Sequence, residues 1–411
     1  MSTIRYGVSP WLDRTPKVRR PTFAKLRGHL DVEVAIVGGG FVGCAIANAF
    51  SALRGPVVLL EAAQIGEGGT GAGTGLVLPL PGTGAATMRA LHERHGVRAA
   101  RQMYRLARRG ALELASALKR LKIRCDQVDA SCLEVPTAQP DVIALRREFD
   151  ARRAAGLDLT WMTSAKLNDL YRLSADGGIR TAAGFHLDPF RACLGLAVAA
   201  EKHGVRIYDR SPVRRVKWRR KDVELTTPGG TIRARTVVVA TGHPGSPWRS
   251  LARHFTRLTT YAVLTPPLGA AERRIFGRGD AILRDTAVPP HWLGLTKDDR
   301  VVFVGADQTP VPVRRSPKAV VQRTGQLMYE LSRLYPPISG LQPEYGWEIP
   351  YAEPVDGVPF IGPHRNFPHH LFALGAGPSG FALGYQAGRM LLGYHAGAID
   401  RAWEPLAFTR L

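Results

Sequence analysis

The stretch DVEVAIVGGGFVGCAIANAFSALRGPVVLLE, residues 31–61, decides the fold. Residues 31–37 make an apolar run of the length of a buried strand. Three glycines then break it. Gly43, Ala45 and Ala47 are small residues on the early turns of an expected helix over residues 41–53. Residues 57–61, VVLLE, form a second short apolar run. Strand, turn, helix and strand within about 30 residues make a right-handed βαβ unit with parallel strands.

Gly38, Gly40 and Gly43, with Phe41 and Val42 between them, match GxGxxG. The pattern alone is weak, but here it directly follows a strand and opens a helix. Gly38 permits the tight turn, Gly40 lets backbone approach a pyrophosphate, and Gly43 lets helix and strand pack closely. The phosphates then face free N–H groups at the helix N-terminus. Glu61 ends the second strand, 18 residues after Gly43. A carboxylate there accepts hydrogen bonds from ribose hydroxyls and repels a 2′-phosphate. The motif does not choose between NAD and FAD. Two further glycine clusters bear on that choice: GEGGTGAGTG at residues 66–75, and LGAGPSG at residues 374–380 between a strand and a helix. A second helix N-terminus stabilises negative charge on a reduced flavin ring.

The remaining chain alternates between the two classes of element. Residues 87–124 are mostly helical by apolar spacing. Asp188 caps a helix over residues 189–203 that starts at Pro189. Residues 213–240 read as a β meander ending in TVVVATG. Strand-like runs over residues 255–310 suggest an antiparallel sheet, followed by a helix over residues 320–335. The tail returns to a strand at residues 371–374 and a helix over residues 380–392. Residues 66–84 read as a loop.

The chain has 411 residues, 45% of them hydrophobic and 22% charged, as expected of a globular protein with a full core. Cys44, Cys125, Cys132 and Cys193 are scattered, form no CxxC pair and suggest no metal site. We read them as buried apolar residues in a reducing, cytoplasmic setting. No run is long and apolar enough for a membrane span. The net charge of +22 invites a nucleic-acid reading. The charges are spread along the chain, including residues 101–124, 146–153, 206–221 and 314–318, without an aromatic platform. We read them as a solvated surface.

On these motifs the sequence resembles the FAD-dependent amine and amino-acid oxidoreductases of the D-amino acid oxidase and glycine oxidase superfamily. Residues 32–50 and 57–75 look like that family's FAD-binding start. GFHLDPFRACLGLAVAAEKHGVRIY, SPVRRV and TVVVATGHPG look like its middle segment, and residues 350–392 look like its close. The SPW-containing extension, residues 9–11, is similar to the γ-glutamylputrescine oxidase branch. The resemblance implies an α/β fold: a Rossmann-type FAD-binding domain and a discontinuous antiparallel-sheet substrate domain. The expected boundaries are an extension at 1–30, FAD-binding segments at 31–90, 160–250 and 345–411, and substrate segments at 91–159 and 251–344. It implies non-covalent FAD contacts at Gly38, Gly40, Phe41, Val42, Gly43, Glu61 and Ala62. Thr70, Gly71, Thr74, Gly75, Val213, Ala240, Thr241, Gly242, Gly377, Ser379, Gly380 and Phe381 complete the expected set.

The implied reaction is hydride transfer from a substrate C–N bond to flavin N5, then imine hydrolysis, with O2 or another acceptor reoxidising the flavin. The cofactor carries the hard chemistry and the protein orients the substrate. No general base is demanded, so none is assigned. Family members hold a substrate carboxylate with an arginine. The matching positions here are Gly294, Tyr351 and Pro378, and Arg284 is the best substitute. Tyr261, His291, Trp292, Trp347 and Tyr351 are the other pocket candidates, since aromatic walls suit an amine through cation–π attraction. Two alternatives stand beside this reading. One is a tRNA-modifying FAD oxidase of the same superfamily. The other is a flavin- or nucleic-acid-binding protein without catalysis.

Overall fold

A computed structural model describes residues 3–82 and 86–410, which form two sheets joined through shared helices. Residues 83 and 84 of the expected 66–84 loop, with residue 85, lie outside the described residues. The smaller sheet is the dinucleotide-type one. Its parallel core runs His370–Leu374, Gly230–Gly242, Gly28–Val37, Val57–Leu60 and Arg206–Tyr208. These strands are covered on both faces, which is why their cores read as unbroken apolar runs. Phe360–Pro363 pairs antiparallel at one edge. The expected meander is present as Arg215–Trp218 and Val223–Thr227, which lead into Gly230–Gly242.

One face of this sheet carries the helices Phe41–Phe50, Pro189–Lys202 and Phe381–Ala396. Asp188 caps Pro189–Lys202 as expected, its carboxylate accepting the Arg191 N–H at 2.9 Å. The helix Val97–Arg120, expected among the substrate segments, crosses Phe381–Ala396 closely. At Gly110 a Cβ would lie 2.2 Å from the Ala382 carbonyl oxygen.

The larger sheet runs Arg5–Tyr6, Tyr345–Pro354, Phe255–Leu264, Val301–Gln308, Trp292–Leu295, Ala281–Asp285, Val128–Val135, Gly178–His186 and Leu76–Val77. It is mainly antiparallel. Arg5–Tyr6 with Tyr345–Pro354 and Ala281–Asp285 with Val128–Val135 are parallel pairs. Thr160–Met162, Gly178–His186, Tyr345–Pro354 and Leu76–Val77 therefore belong to this sheet, although the sequence boundaries put them among FAD-binding segments. The chain changes sheet at Asp188-Pro189 and after Pro354, inside the quoted segments that begin at residues 184 and 350. The helix Ser316–Leu334 covers the outer face of this sheet around Phe303 and Val263.

All four cysteines are buried and free, and burial pushes the Cys125 thiol up to about 12. Among the described residues no helix is long and apolar enough to cross a membrane, and no cluster of side chains could hold a metal ion.

Candidate active site

Gly38, Glu61, Gly242 and Gly375 lie at or just past the carboxyl ends of four adjacent parallel strands, where ligands bind in open α/β sheets. The turn itself is tightly specified. Gly38 has φ +110°, and a Cβ on it would lie 2.5 Å from the Ala240 carbonyl oxygen. A Cβ on Gly43 would lie 1.8 Å from the Gly38 oxygen, so only glycine lets this helix sit on its strand. Gly40 differs: the one protein atom near its Cβ position is Thr70 Oγ1, at 3.1 Å. The turn is thus least crowded where a pyrophosphate would approach, at the start of the helix Phe41–Phe50. Thr70 Oγ1 accepts the Phe41 N–H at 2.8 Å and ties the second glycine cluster to this helix start. Glu61 is half-buried and accepts N–H bonds from Gly39 at 2.6 Å and Ala63 at 2.8 Å. Val42 leans on Gly384, and Ala62 is exposed beside Glu61. This donor set and this opening fit a dinucleotide.

The other two glycine-rich segments meet each other. Thr74 Oγ1 lies 2.9 Å from Ser379 Oγ and 3.2 Å from the Pro378 carbonyl oxygen. Gly75 and Gly377 have φ of +73° and +75°. A Cβ on Gly380 would lie 1.8 Å from the Ala376 oxygen, and Phe381 begins the closing helix. The N-terminal extension holds the same loop from outside. Ser9 Oγ donates to the Gly71 carbonyl, and Trp11 Nε1 donates to Gly73 at 2.8 Å. Trp347 Nε1 donates to Ala72 at 2.8 Å from the larger sheet. Ala240 is buried, Thr241 and Gly242 are exposed at the strand end, and Val213 packs at the meander.

A cavity of about 730 Å³ opens where these loops face the larger sheet. Thr74, Ala376, Pro378 and Ser379 line one side, and Arg284, Trp292 and Tyr351 line the other. Three of the six pocket candidates therefore converge. Tyr261, His291 and Trp347 do not line it. Tyr261 and His291 sit on the opposite face of the same sheet: Tyr261 accepts from Gln308 Nε2 at 2.7 Å, and His291 stacks on Phe303 between Asp285 and Glu330. Trp347 is taken up by the loop contact above. Pairing type and period alone do not tell which face of a strand meets the cofactor side.

Arg284 reaches the cavity wall but is engaged. Its Nη1 donates to Glu134 at 2.7 Å, and its guanidinium lies 5.4 Å from the Trp292 ring centre. Arg152 forks onto Glu134 and also binds Glu148 at 2.7 Å. Burial pushes Glu134 up, but Arg152 and Arg284 outweigh it and hold the carboxyl at about 2. The sequence reading of residues 146–153 as solvated charge fails at Arg152, which is 2% exposed. Its helix Gln139–Ala154 has little amphipathic contrast, so nothing in the spacing marked that one arginine as inward.

Asp307 was missed as well. It lines the cavity, and its Oδ2 accepts the Tyr351 hydroxyl at 2.6 Å. Burial raises its pKa, partly offset by hydrogen bonds from Thr260 and Tyr351.

Comparison with known proteins agrees with this geometry. Residues 33–392 match the family model described as FAD dependent oxidoreductase. The probable oxidoreductase OrdL of Haemophilus influenzae is 24% identical over 381 residues, covering 90% of this chain and 84% of that protein. Gamma-glutamylputrescine oxidoreductase of Escherichia coli is 23% identical over 389 residues, covering 92% and 87%. The solved structure of glycine oxidase from Geobacillus kaustophilus has a TM-score of 0.75 at 19% identity, covering 93% of this chain and 99% of that one. A family match across most of the chain, on a turn built to admit a dinucleotide, makes this protein a member of the DAO family of FAD-dependent oxidoreductases.

Proposed function

We propose that the protein oxidises the C–N bond of an amine or amino-acid-type substrate bound in the 730 Å³ cavity. The observation that carries this reading is the shared wall. Loop residues expected against the flavin, Thr74 and Ser379, line the same space as Tyr351, Trp292 and Arg284. Bound FAD supplies the two-electron acceptor, taking a hydride at N5. The chain's own residues orient the substrate against that face and keep water from it. Relatives named glycine oxidase and gamma-glutamylputrescine oxidoreductase support an amine-type substrate.

Anaerobic mixing with a panel of amines, N-alkyl amines and amino acids is expected to bleach the flavin absorbance with at least one of them. Failure of the whole panel would remove the proposal. Glu61 is expected to serve the adenosine end. A hydrogen bond to a charged group contributes roughly 1.5–3 kcal/mol. Glu61→Ala should therefore weaken FAD binding by about one to two orders of magnitude in titrations of the apoprotein. Unchanged affinity would place the ribose elsewhere.

One observation favours a polyanion-binding reading alongside the enzymatic one. A groove of about 660 Å³ is lined by Arg19, Arg120, Lys122, Arg124 and Lys202, among other basic residues, and by no carboxylate. Salt-sensitive RNA binding, lost on charge reversal at Lys122 and Arg124, would favour the tRNA-oxidase alternative.

A further inference from the structure

The strand Val301–Gln308 alternates regularly at first. Val301 and Phe303 pack toward the helix Ser316–Leu334, while Val302 and Val304 pack to the other side, where Val304 lines the cavity. Continued alternation would put residue 306 into the cavity and residue 307 against the helix. The opposite occurs. Tyr261 pairs with Gly305, but Thr259 pairs with Gln308, so the strand carries one extra residue here. Ala306 takes φ +58°, a conformation that residues with a Cβ rarely adopt. Its methyl joins the helix-side cluster, and Asp307 turns to the cavity. This is a β-bulge that re-aims one side chain, a device concentrated next to active sites.

The side chain so aimed is a carboxylate. Tyr351 holds it at 2.6 Å, and among the described residues Asp307 has no ion pair. The charged group facing it from behind the sheet is His291. The other carboxylates of the wall are already matched. Glu93 pairs with Arg89, and Glu134 and Glu148 with the buried arginines; Asp141, like Asp307, is held by hydroxyls, those of Thr137 and Thr286, but is far less buried than Asp307. Glu353, the remaining carboxylate of the wall, is not free either. Altogether the cavity presents six carboxylates against three arginines, in a chain whose net charge is +22.

Resting on the amine-oxidation reading above, we infer that Asp307 binds a second, non-reacting ammonium, so that the preferred substrate is a diamine or polyamine rather than an α-amino acid. A charge-assisted bond at a distance from the reacting nitrogen fixes the substrate without protonating the amine that must react uncharged. Such a bond is made equally before and during reaction, so its loss falls on binding rather than on the limiting rate.

The test uses the FAD-loaded protein and anaerobic stopped-flow flavin reduction, comparing 1,4-diaminobutane with 1-aminobutane. The wild type is expected to half-saturate with the diamine at a concentration at least tenfold lower than with the monoamine. Asp307→Asn should raise the diamine value about 30-fold, change its limiting rate less than about threefold, and leave the monoamine value in place. Asp307→Glu should restore most of the diamine preference. Equal wild-type affinity for the two amines overturns the inference, even if the variants fail to fold. A limiting rate that falls for both amines also overturns it, by moving Asp307 to the reacting nitrogen. Reduction by amino acids alone would sink this inference and leave the proposed function standing, whereas no reduction by any compound would sink both.

Discussion

A Gly40→Val variant is expected to fold and to purify without colour. Gly40 has φ −74° and ψ −179°, an extended conformation open to any residue. Its Cβ position meets only Thr70 Oγ1 within 4 Å. Thr70 Oγ1 at 3.1 Å must give by a few tenths of an ångström, but the position is otherwise open. That space is the approach to the first helix N-terminus, where a pyrophosphate needs the bare backbone. Affinity for FAD should fall at least 100-fold, a loss of about 2.7 kcal/mol. Fluorescence titration of the apoprotein measures it, with circular dichroism as the check on folding. Gly43→Ala is the contrasting case. Its methyl would sit 1.8 Å from the Gly38 oxygen, so that change should reduce soluble yield and melting temperature before it reaches the cofactor. A yellow, fully loaded Gly40→Val protein would show that the pyrophosphate does not lie over this turn.

The second large effect is expected at Arg152. Replacing it with methionine keeps much of the volume but leaves Glu134 and Glu148 buried without their main partner. Breaking one side of a buried ion pair costs about 3–5 kcal/mol. Thermal and denaturant unfolding should both register that loss. Adding Glu134→Gln and Glu148→Gln should recover part of it, because the stranded charges are then gone. The acid limb supplies an independent check. Glu134 titrates at about 2 in the folded protein, below its ordinary value near 4.5. Its contribution is present above that ordinary value and is lost as pH falls through the interval down to about 2. Arg152→Met should flatten stability across that interval. A variant as stable as the parent, with the same acid limb, would show that Arg284 alone balances the cluster.

The two sheets differ in how plainly they were written in the sequence. Residues 31–61 carried their own evidence, since a parallel strand buried on both faces is an apolar run and the glycines beside it are sterically compelled. Cap residues such as Asp188 were equally local. The cavity was not. Tyr351 and Trp292 face it, whereas Tyr261 and His291, equally aromatic and nearby in sequence, face the helix Ser316–Leu334. A period of two says that alternate residues share a face but not which face meets the cofactor. Asp307 was hidden more deeply, because the bulge at Ala306 inverts the pattern that would have located it. Arg152 looked like its neighbours Arg146, Arg147 and Arg153, and only tertiary packing separates it from them.

The order in which strands are laid down has a consequence in time. The central strand Gly28–Val37 leaves the ribosome early, yet its neighbour Gly230–Gly242 follows some 200 residues later and His370–Leu374 later still. Arg5 waits longer, 340 residues, for Tyr345, its neighbour in the other sheet. Contacts so distant make for slow folding, since loop closure precedes any gain from pairing. At roughly 5–20 residues per second, synthesis leaves the first apolar strand with Val57–Leu60 beside it but without Gly230–Gly242 for tens of seconds. Ser9 and Trp11 can grip the loop at Gly71 and Gly73 early, but Ser379 reaches Thr74 only when the last helix emerges. The contact that joins the two glycine-rich loops therefore spans 305 residues of chain and is among the later ones that synthesis allows.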